Sequence, residues 1–198
     1  LLSDDLPEPE KNVTSLAVAM KAMEERYGPY PYPSYAIAEV PLDKGHFGAS
    51  SEQGFIMVKP HFMQVRGGNL ALFAHEAGHG WWGNTVGTTA PGELVCSETL
   101  AQYGAVISVE SVYGSAGATD FLRFSRPGYV SDQSARGFFE IMRNGADKPL
   151  VDLQSGQGMD HTISDAKGHW VIHMLRARVG DEVFFATMRG LITCARDS

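Results

Sequence analysis

The chain is poor in cysteine, in positive charge and in long apolar runs, and each shortage narrows what it can be. Cys96 and Cys194 are the only cysteines in 198 residues, which excludes a small scaffold stapled by disulfides. Far apart in sequence, they read as two free buried thiols acting as small core residues. Lysine and arginine number 16 against 23 acidic residues, for a net charge of −7. No basic run offsets that balance, so the reading includes no nucleic-acid partner. No apolar stretch approaches the roughly 20 residues needed to span a bilayer, and no signal-peptide pattern is visible. The expectation is therefore a soluble domain without a transmembrane segment, in a compartment the sequence does not name. The chain opens at Leu1 rather than Met, as a piece of a longer protein would. Repeats and low-complexity tracts are also missing.

What remains is an ordinary globular composition, 43% apolar and 20% charged, on a chain long enough to bury a core. Residues 11–27 read as an amphipathic helix with Val13, Leu16, Ala17, Met20, Met23 and Tyr27 on one stripe. Asn12-Val13-Thr14 also spells a glycosylation sequon. Gly28 to Pro33 breaks the helix. Tyr35–Val40 and Gly54–Val58 are short strand candidates, separated by the polar stretch Lys44–Gln53. An exposed strand edge here could bind an extended peptide through main-chain hydrogen bonds. Asn69 is a candidate N-cap for a helix running to about Trp82. Further helices are expected at about 93–112, 115–125 and 132–144. Residues 145–160 read as a long loop, and 165–178 and 181–195 as a helical pair joined at Gly180. A small β part at about 30–60 followed by a helical part at about 69–198 argues an α+β fold in a single domain over 1–198.

The helix that begins after Asn69 carries chemistry. His75-Glu76-x-x-His79 places two imidazoles four residues apart, on one helix face, with a carboxylate beside them. Two such histidines can hold one zinc ion, with Glu76 as the general base. A catalytic zinc wants a third protein ligand and an open position. Glu98, separated from His79 by eighteen residues and on the next helix, is the candidate. One zinc ion per chain is expected, held by His75, His79 and Glu98.

Around this core the sequence resembles the gluzincin zinc aminopeptidases, the family of membrane alanyl aminopeptidase and leukotriene hydrolase. The spacing H-E-x-x-H, eighteen residues, E is that family's. His79-Gly80-Trp81-Trp82-Gly83-Asn84 is similar to its H-Q-W-F-G-N, and Glu98 to Gly104 to its E-G-F-A-E-Y. Tyr27-Gly28-Pro29-Tyr30-Pro31-Tyr32 resembles the run that opens its catalytic domain. Lys167-Gly168 and Gly180 to Phe185 resemble its closing helices. The resemblance covers nearly the whole chain and corresponds to the catalytic domain alone. It implies a thermolysin-like zincin fold, a small sheet packed on a mostly helical lobe. It also implies a metallopeptidase, an aminopeptidase by family, acting on peptide or protein substrates.

Two departures from the family pattern qualify that expectation. Where the family has G-A-M-E-N, with a glutamate that binds the substrate's α-amine, this chain has Gly48-Ala49-Ser50-Ser51-Glu52-Gln53-Gly54. Ser51 takes the glutamate's place, and Glu52 lies one residue on. Because side chains alternate along a strand, that offset aims Glu52 at the opposite face unless a bulge re-aims it. Ser51 and Glu52 are the substrate-binding candidates. Where the family's Y-E-K-G supplies an oxyanion-stabilising tyrosine, this chain has Asp165, which as a carboxylate would repel an oxyanion. His161 is the candidate substitute, ahead of His169. The competing reading is a zinc-binding module with weak or no peptidase activity that binds peptides or supports an assembly.

Overall fold

The computed structural model describes residues 9–40, 49–63, 69–87, 91–124 and 135–197. Helix α1, Pro9–Tyr27, is followed by strands β1, Ala36–Glu39, β2, Ala49–Glu52, and β3, Phe55–Val58. The three form one sheet in the order β1-β3-β2, with β3 parallel to β1 and antiparallel to β2. Between β2 and β3 lie only Gln53 and Gly54, and Gly54 takes φ 87°, the left-handed conformation that a two-residue hairpin loop demands. The strand at Ala49–Glu52 falls in the polar stretch between the two strand candidates, and only the resemblance, which aligns it with a strand of the family, implies it. Low β-propensity hides it there; its ladder with β3 makes it.

Helices fill the rest: α2, Pro60–Met63, α3, Leu70–Gly78, α4, Leu100–Phe124, α5, Ala135–Arg143, α6, Asp160–Ile163, α7, His169–Val179, and α8, Asp181–Arg196. The architecture is α+β, as expected. Asn69 caps α3, its side chain accepting from Leu72 N at 3.3 Å. This helix stops at Gly78 rather than at Trp82. Just beyond its end the Tyr30 ring packs so closely on Gly80 that no Cβ would fit. Helix α4 is interrupted at Gly114, φ 69°, at the boundary the sequence reading placed between two helices. Gly180, φ 85°, joins α7 to α8.

Two π-helical turns bring distant parts of the chain together. Val95–Thr99 leads into α4, and Ser164–Gly168 joins α6 to α7. They face one another. Thr99 Oγ1 lies 2.8 Å from Ser164 Oγ and 3.0 Å from the Ser164 carbonyl, and Ser164 Oγ donates to the Leu94 carbonyl at 3.0 Å. Gly168 sits against Thr99, whose Cβ would lie 2.9 Å from any Cβ added there.

The core gathers where α1 crosses α3. Tyr27 meets the Trp82 ring edge-on at 5.3 Å and the Trp81 ring at 6.0 Å, contacts worth roughly 0.5–1.5 kcal/mol each beyond burial. Arg176 clamps Asp181 with two bonds of 2.8 Å and reaches Glu110 at 2.6 Å, tying α4, α7 and α8 together. The buried stripe of α1 runs through Leu16, Ala19, Met23 and Tyr27, while Val13 is 59% exposed. Asn12 takes the inward position instead, donating to the Met63 carbonyl at 2.8 Å, so the sequon asparagine is buried. Both cysteines are free, but Cys194 is exposed and Cys96 half-buried, contrary to the expectation of two buried thiols. Among the described residues no helix is long and apolar enough to cross a membrane.

Candidate metal and catalytic site

His75 projects from the last turn of α3, His79 from the residue that caps its C-terminus, and Glu98 from the facing π turn. His75 Nε2 and His79 Nε2 stand 3.3 Å apart. Glu98 Oε2 lies 3.5 Å from the first and 3.6 Å from the second. Donors bound at 2.0–2.2 Å in tetrahedral directions have mutual separations of about 3.4 Å. The three atoms therefore outline one face of a zinc-sized tetrahedron and leave its fourth vertex open.

The other nitrogen of each imidazole is committed. His75 Nδ1 donates to Gln102 Oε1 at 2.8 Å, and His79 Nδ1 donates to the Trp82 carbonyl at 3.2 Å. Both bonds require the proton on Nδ1, which turns each Nε2 towards the common point. Two imidazoles and a carboxylate with these partners fit zinc. Gln102 escaped the sequence reading, although its place four residues after Glu98, on the same face of the helix, was a usable signal.

Charge is concentrated here. Burial lowers the affinity of His79 for a proton, to a pKa of about 4, against the pull of Glu98. For His75, burial acts the same way but is outweighed by Glu98, Asp165 and Glu76, so its pKa is raised. Glu98 shows the mirror image: burial pushes its carboxyl up, and the hydrogen bond from His75 with the neighbouring imidazoles pulls it well down. Glu76 is 6% exposed. Burial, reinforced by Glu98 and Asp165 and opposed by His75, pushes its carboxyl up to about 7, the range suited to a general base at neutral pH.

The remaining candidates separate. His161 comes to the trio from α6, with Nδ1 3.7 Å from Glu98 Oε2 and Nε2 3.4 Å from Asp165 Oδ2. Asp165 is fully buried. Neither of the other late histidines reaches the trio. His169 binds the Asp165 carbonyl through Nδ1, and His173 Nδ1 is 3.2 Å from Tyr103 Oη. On the sheet side, Ser51 pairs with Ile56, a fully buried residue, and Glu52 with Phe55, an outward one. Directly paired residues share a face, so Ser51 faces the interior and Glu52 is exposed on the far side, without a bulge. Ser51 Oγ is 3.1 Å from Tyr35 Oη. That tyrosine feels the charge of Glu76, though burial is the main reason its pKa is raised. Strand β2 is a sheet edge and packs against α3.

Comparison with known proteins is consistent with this geometry. The profile of the peptidase family M1 domain matches residues 12–195. Among solved structures, an M1 zinc metallopeptidase from Deinococcus radiodurans superposes with a TM-score of 0.62 at 19% identity, over 93% of this chain and 36% of that one. A variant of it bound to a Tyr-Ser-Ala substrate gives 0.62 at 20% identity, over 95% and 37%. Yeast LTA4 hydrolase in complex with bestatin gives 0.68 at 16% identity, over 92% and 29%. This chain thus spans between 29% and 37% of the length of these solved proteins. No curated protein sequence matches it significantly.

Proposed function

The chain belongs to peptidase family M1, and from that premise we propose that it is a zinc-dependent peptidase of the aminopeptidase type, hydrolysing peptide bonds. The observation that carries this reading is the trio of donor atoms, 3.3, 3.5 and 3.6 Å apart, whose two histidines flank a buried carboxylate, Glu76. His75, His79 and Glu98 are assigned as the residues that hold the metal. Zinc bound there supplies Lewis acidity, which acidifies water to a pKa of about 7 and polarises a carbonyl.

Glu76 is assigned to take the proton of the attacking water and then deliver it to the leaving amine, a shuttle that its pKa of about 7 permits in both directions. His161, beside Glu98, is assigned to the side on which oxyanion charge develops. An extended peptide is expected to lie along the edge of β2. Of the two substrate-binding candidates Ser51 carries the proposal, with Tyr35 beside it, since Glu52 lies across the sheet.

The test pairs metal content with turnover. The purified wild type should carry zinc and cleave members of a peptide library. Glu98→Ala should lose the metal, and Glu76→Gln should keep it while losing turnover. A wild type that neither binds zinc nor cleaves any peptide would falsify the reading. N-acetylation of a cleaved peptide should abolish its hydrolysis, and equal turnover of blocked and free peptides would replace the aminopeptidase assignment by an endopeptidase one.

A further inference from the structure

Two of the three metal-ligand side chains are turned by partners outside the trio, His75 by Gln102 and His79 by the Trp82 carbonyl. Glu98 is placed differently. Among the described residues, the polar neighbours of its carboxylate are the imidazoles of His75, His79 and His161, at 3.5, 3.6 and 3.7 Å. Its direction is therefore set by the backbone of the π turn that carries it. We propose that Ser164 is a positioning residue for this ligand, acting with Thr99: its hydroxyl clamps the Glu98 turn at both ends and so governs how tightly the site holds a metal. The inference rests on the assignment of Glu98 as a metal ligand.

The turn is entered from Leu94 and ends at Thr99, and Ser164 touches both. Its Oγ donates to the Leu94 carbonyl at 3.0 Å and lies 2.8 Å from Thr99 Oγ1, which is itself 3.0 Å from the Ser164 carbonyl. A hydroxyl has one proton to give. With that of Ser164 on Leu94, the Thr99 proton serves the carbonyl and hydroxyl oxygens of Ser164. The bonds thus run from Thr99 through Ser164 to Leu94. They span the turn from its last residue back to the residue before its first, and Glu98 lies inside that span.

Burial makes the clamp matter. Thr99 and Ser164 are fully buried and Leu94 nearly so, so a hydroxyl that loses its mate stays unsatisfied unless the backbone moves. The backbone has somewhere to go. In an ordinary helix a carbonyl accepts from the amide four residues on; in this turn the Leu100 amide reaches back five, to the Val95 carbonyl. Without the clamp the turn is free to tighten towards the helical register, which re-aims the residues within it, Glu98 among them. Gly168 fills the other side of Thr99 and leaves room for its side chain and no more. The shape of Thr99 is therefore fixed by packing, and its hydroxyl is the part that acts on the turn. Ser164 also adjoins Asp165 on the second π turn, so the same bonds hold Glu98 in register with the segment that brings His161 to the site.

The test is zinc affinity rather than turnover. Chelator-stripped protein is titrated with zinc chloride in competition with a chromophoric chelator, and the urea midpoint of the metal-free protein is measured in parallel. Ser164→Ala and Thr99→Val each remove one hydroxyl with little change of shape. Both should weaken zinc binding by about 10–100-fold, the range typical of groups that orient a metal's ligands. Thr99→Ser, which keeps the hydroxyl, should stay close to wild type. Ser164→Ala deletes a single oxygen and carries the test alone should Thr99→Val fail to fold. Wild-type affinity in Ser164→Ala, even with a lower urea midpoint, overturns the inference and leaves the metal assignment standing. A loss in Thr99→Ser equal to that in Thr99→Val overturns it in the same way. A wild type that binds no zinc overturns both.

Discussion

Gln102 Oε1 accepts from His75 Nδ1 at 2.8 Å across the interface of α3 and α4, and that bond decides which imidazole nitrogen faces Glu98. Outer partners of this kind typically support metal affinity by about 10–100-fold. Gln102→Leu keeps the side-chain volume and removes the acceptor. Zinc affinity, measured by competition with a chromophoric chelator, should fall by about that factor while helix content is unchanged. Unaltered affinity would mean the tautomer is fixed without Gln102.

Zinc binding should also release a proton. In the metal-free site Glu98 favours the protonated form of His75, and that proton occupies the position a metal needs. Calorimetric titration with zinc in two buffers of different ionisation enthalpy should give different apparent enthalpies, the difference corresponding to about one proton released at neutral pH. Identical enthalpies in the two buffers would count against a protonated His75.

Gly168 is the point at which the turn before α7 leans on the turn that carries Glu98. An added Cβ would fall on the Thr99 side chain, so Gly168→Ala should cost about 1–3 kcal/mol of stability in urea denaturation. Thr99→Ala removes most of the clashing atoms. The double variant should therefore lose less than the sum of the singles. Strict additivity would show that the two positions do not press on each other.

His169 gives the fold a pH dependence of its own. Burial, with smaller opposing help from its hydrogen bond to the Asp165 carbonyl, depresses its pKa from 6.5 to about 4. Between those values the unfolded chain binds the proton and the folded chain does not. Stability is therefore full above about pH 6.5 and falls as pH drops towards 4, by about 3 kcal/mol over the whole window. His169→Asn should flatten this slope in denaturation curves at pH 7.5 and pH 5. A slope identical to wild type would place the acid sensitivity elsewhere.

The residues legible in the sequence were those whose geometry is local. His75 and His79 share a face because any helix would align them, and Glu98 follows at a distance that suits the start of the next helix. Ser51 and Glu52 lie on opposite faces because strand alternation is a two-residue rule and no bulge intervenes. What escaped was set by partners remote in sequence. Strand β2 exists through its ladder with β3, not through the propensity of Ala49-Ser50-Ser51-Glu52. The inward phase of α1 passes through Asn12 rather than Val13 because the Met63 carbonyl waits there. Read alone, Asp165 is a repulsive substitution; in the structure it stands beside His161 in a turn that no periodicity announces. Residues 44–48 of the polar stretch before β3, and 132–134 of the helix expected at 132–144, lie outside the described residues.

The paired π turns also determine what kinds of change the chain can absorb. A π turn holds one residue more than the α-helical turn it replaces, and each residue of an α-helix advances the helix by about 100°. Deleting a single residue within Val95–Thr99 or Ser164–Gly168 would let that segment relax into ordinary helix. The flanking helices would then stay nearly in register, because the wide turn had absorbed the extra residue within one revolution, and only the residues inside the turn would be re-aimed. Glu98 or Asp165 could lose its present direction without any change in identity. Substitutions at these turns alter a contact; deletions there alter which way the turn's own side chains point.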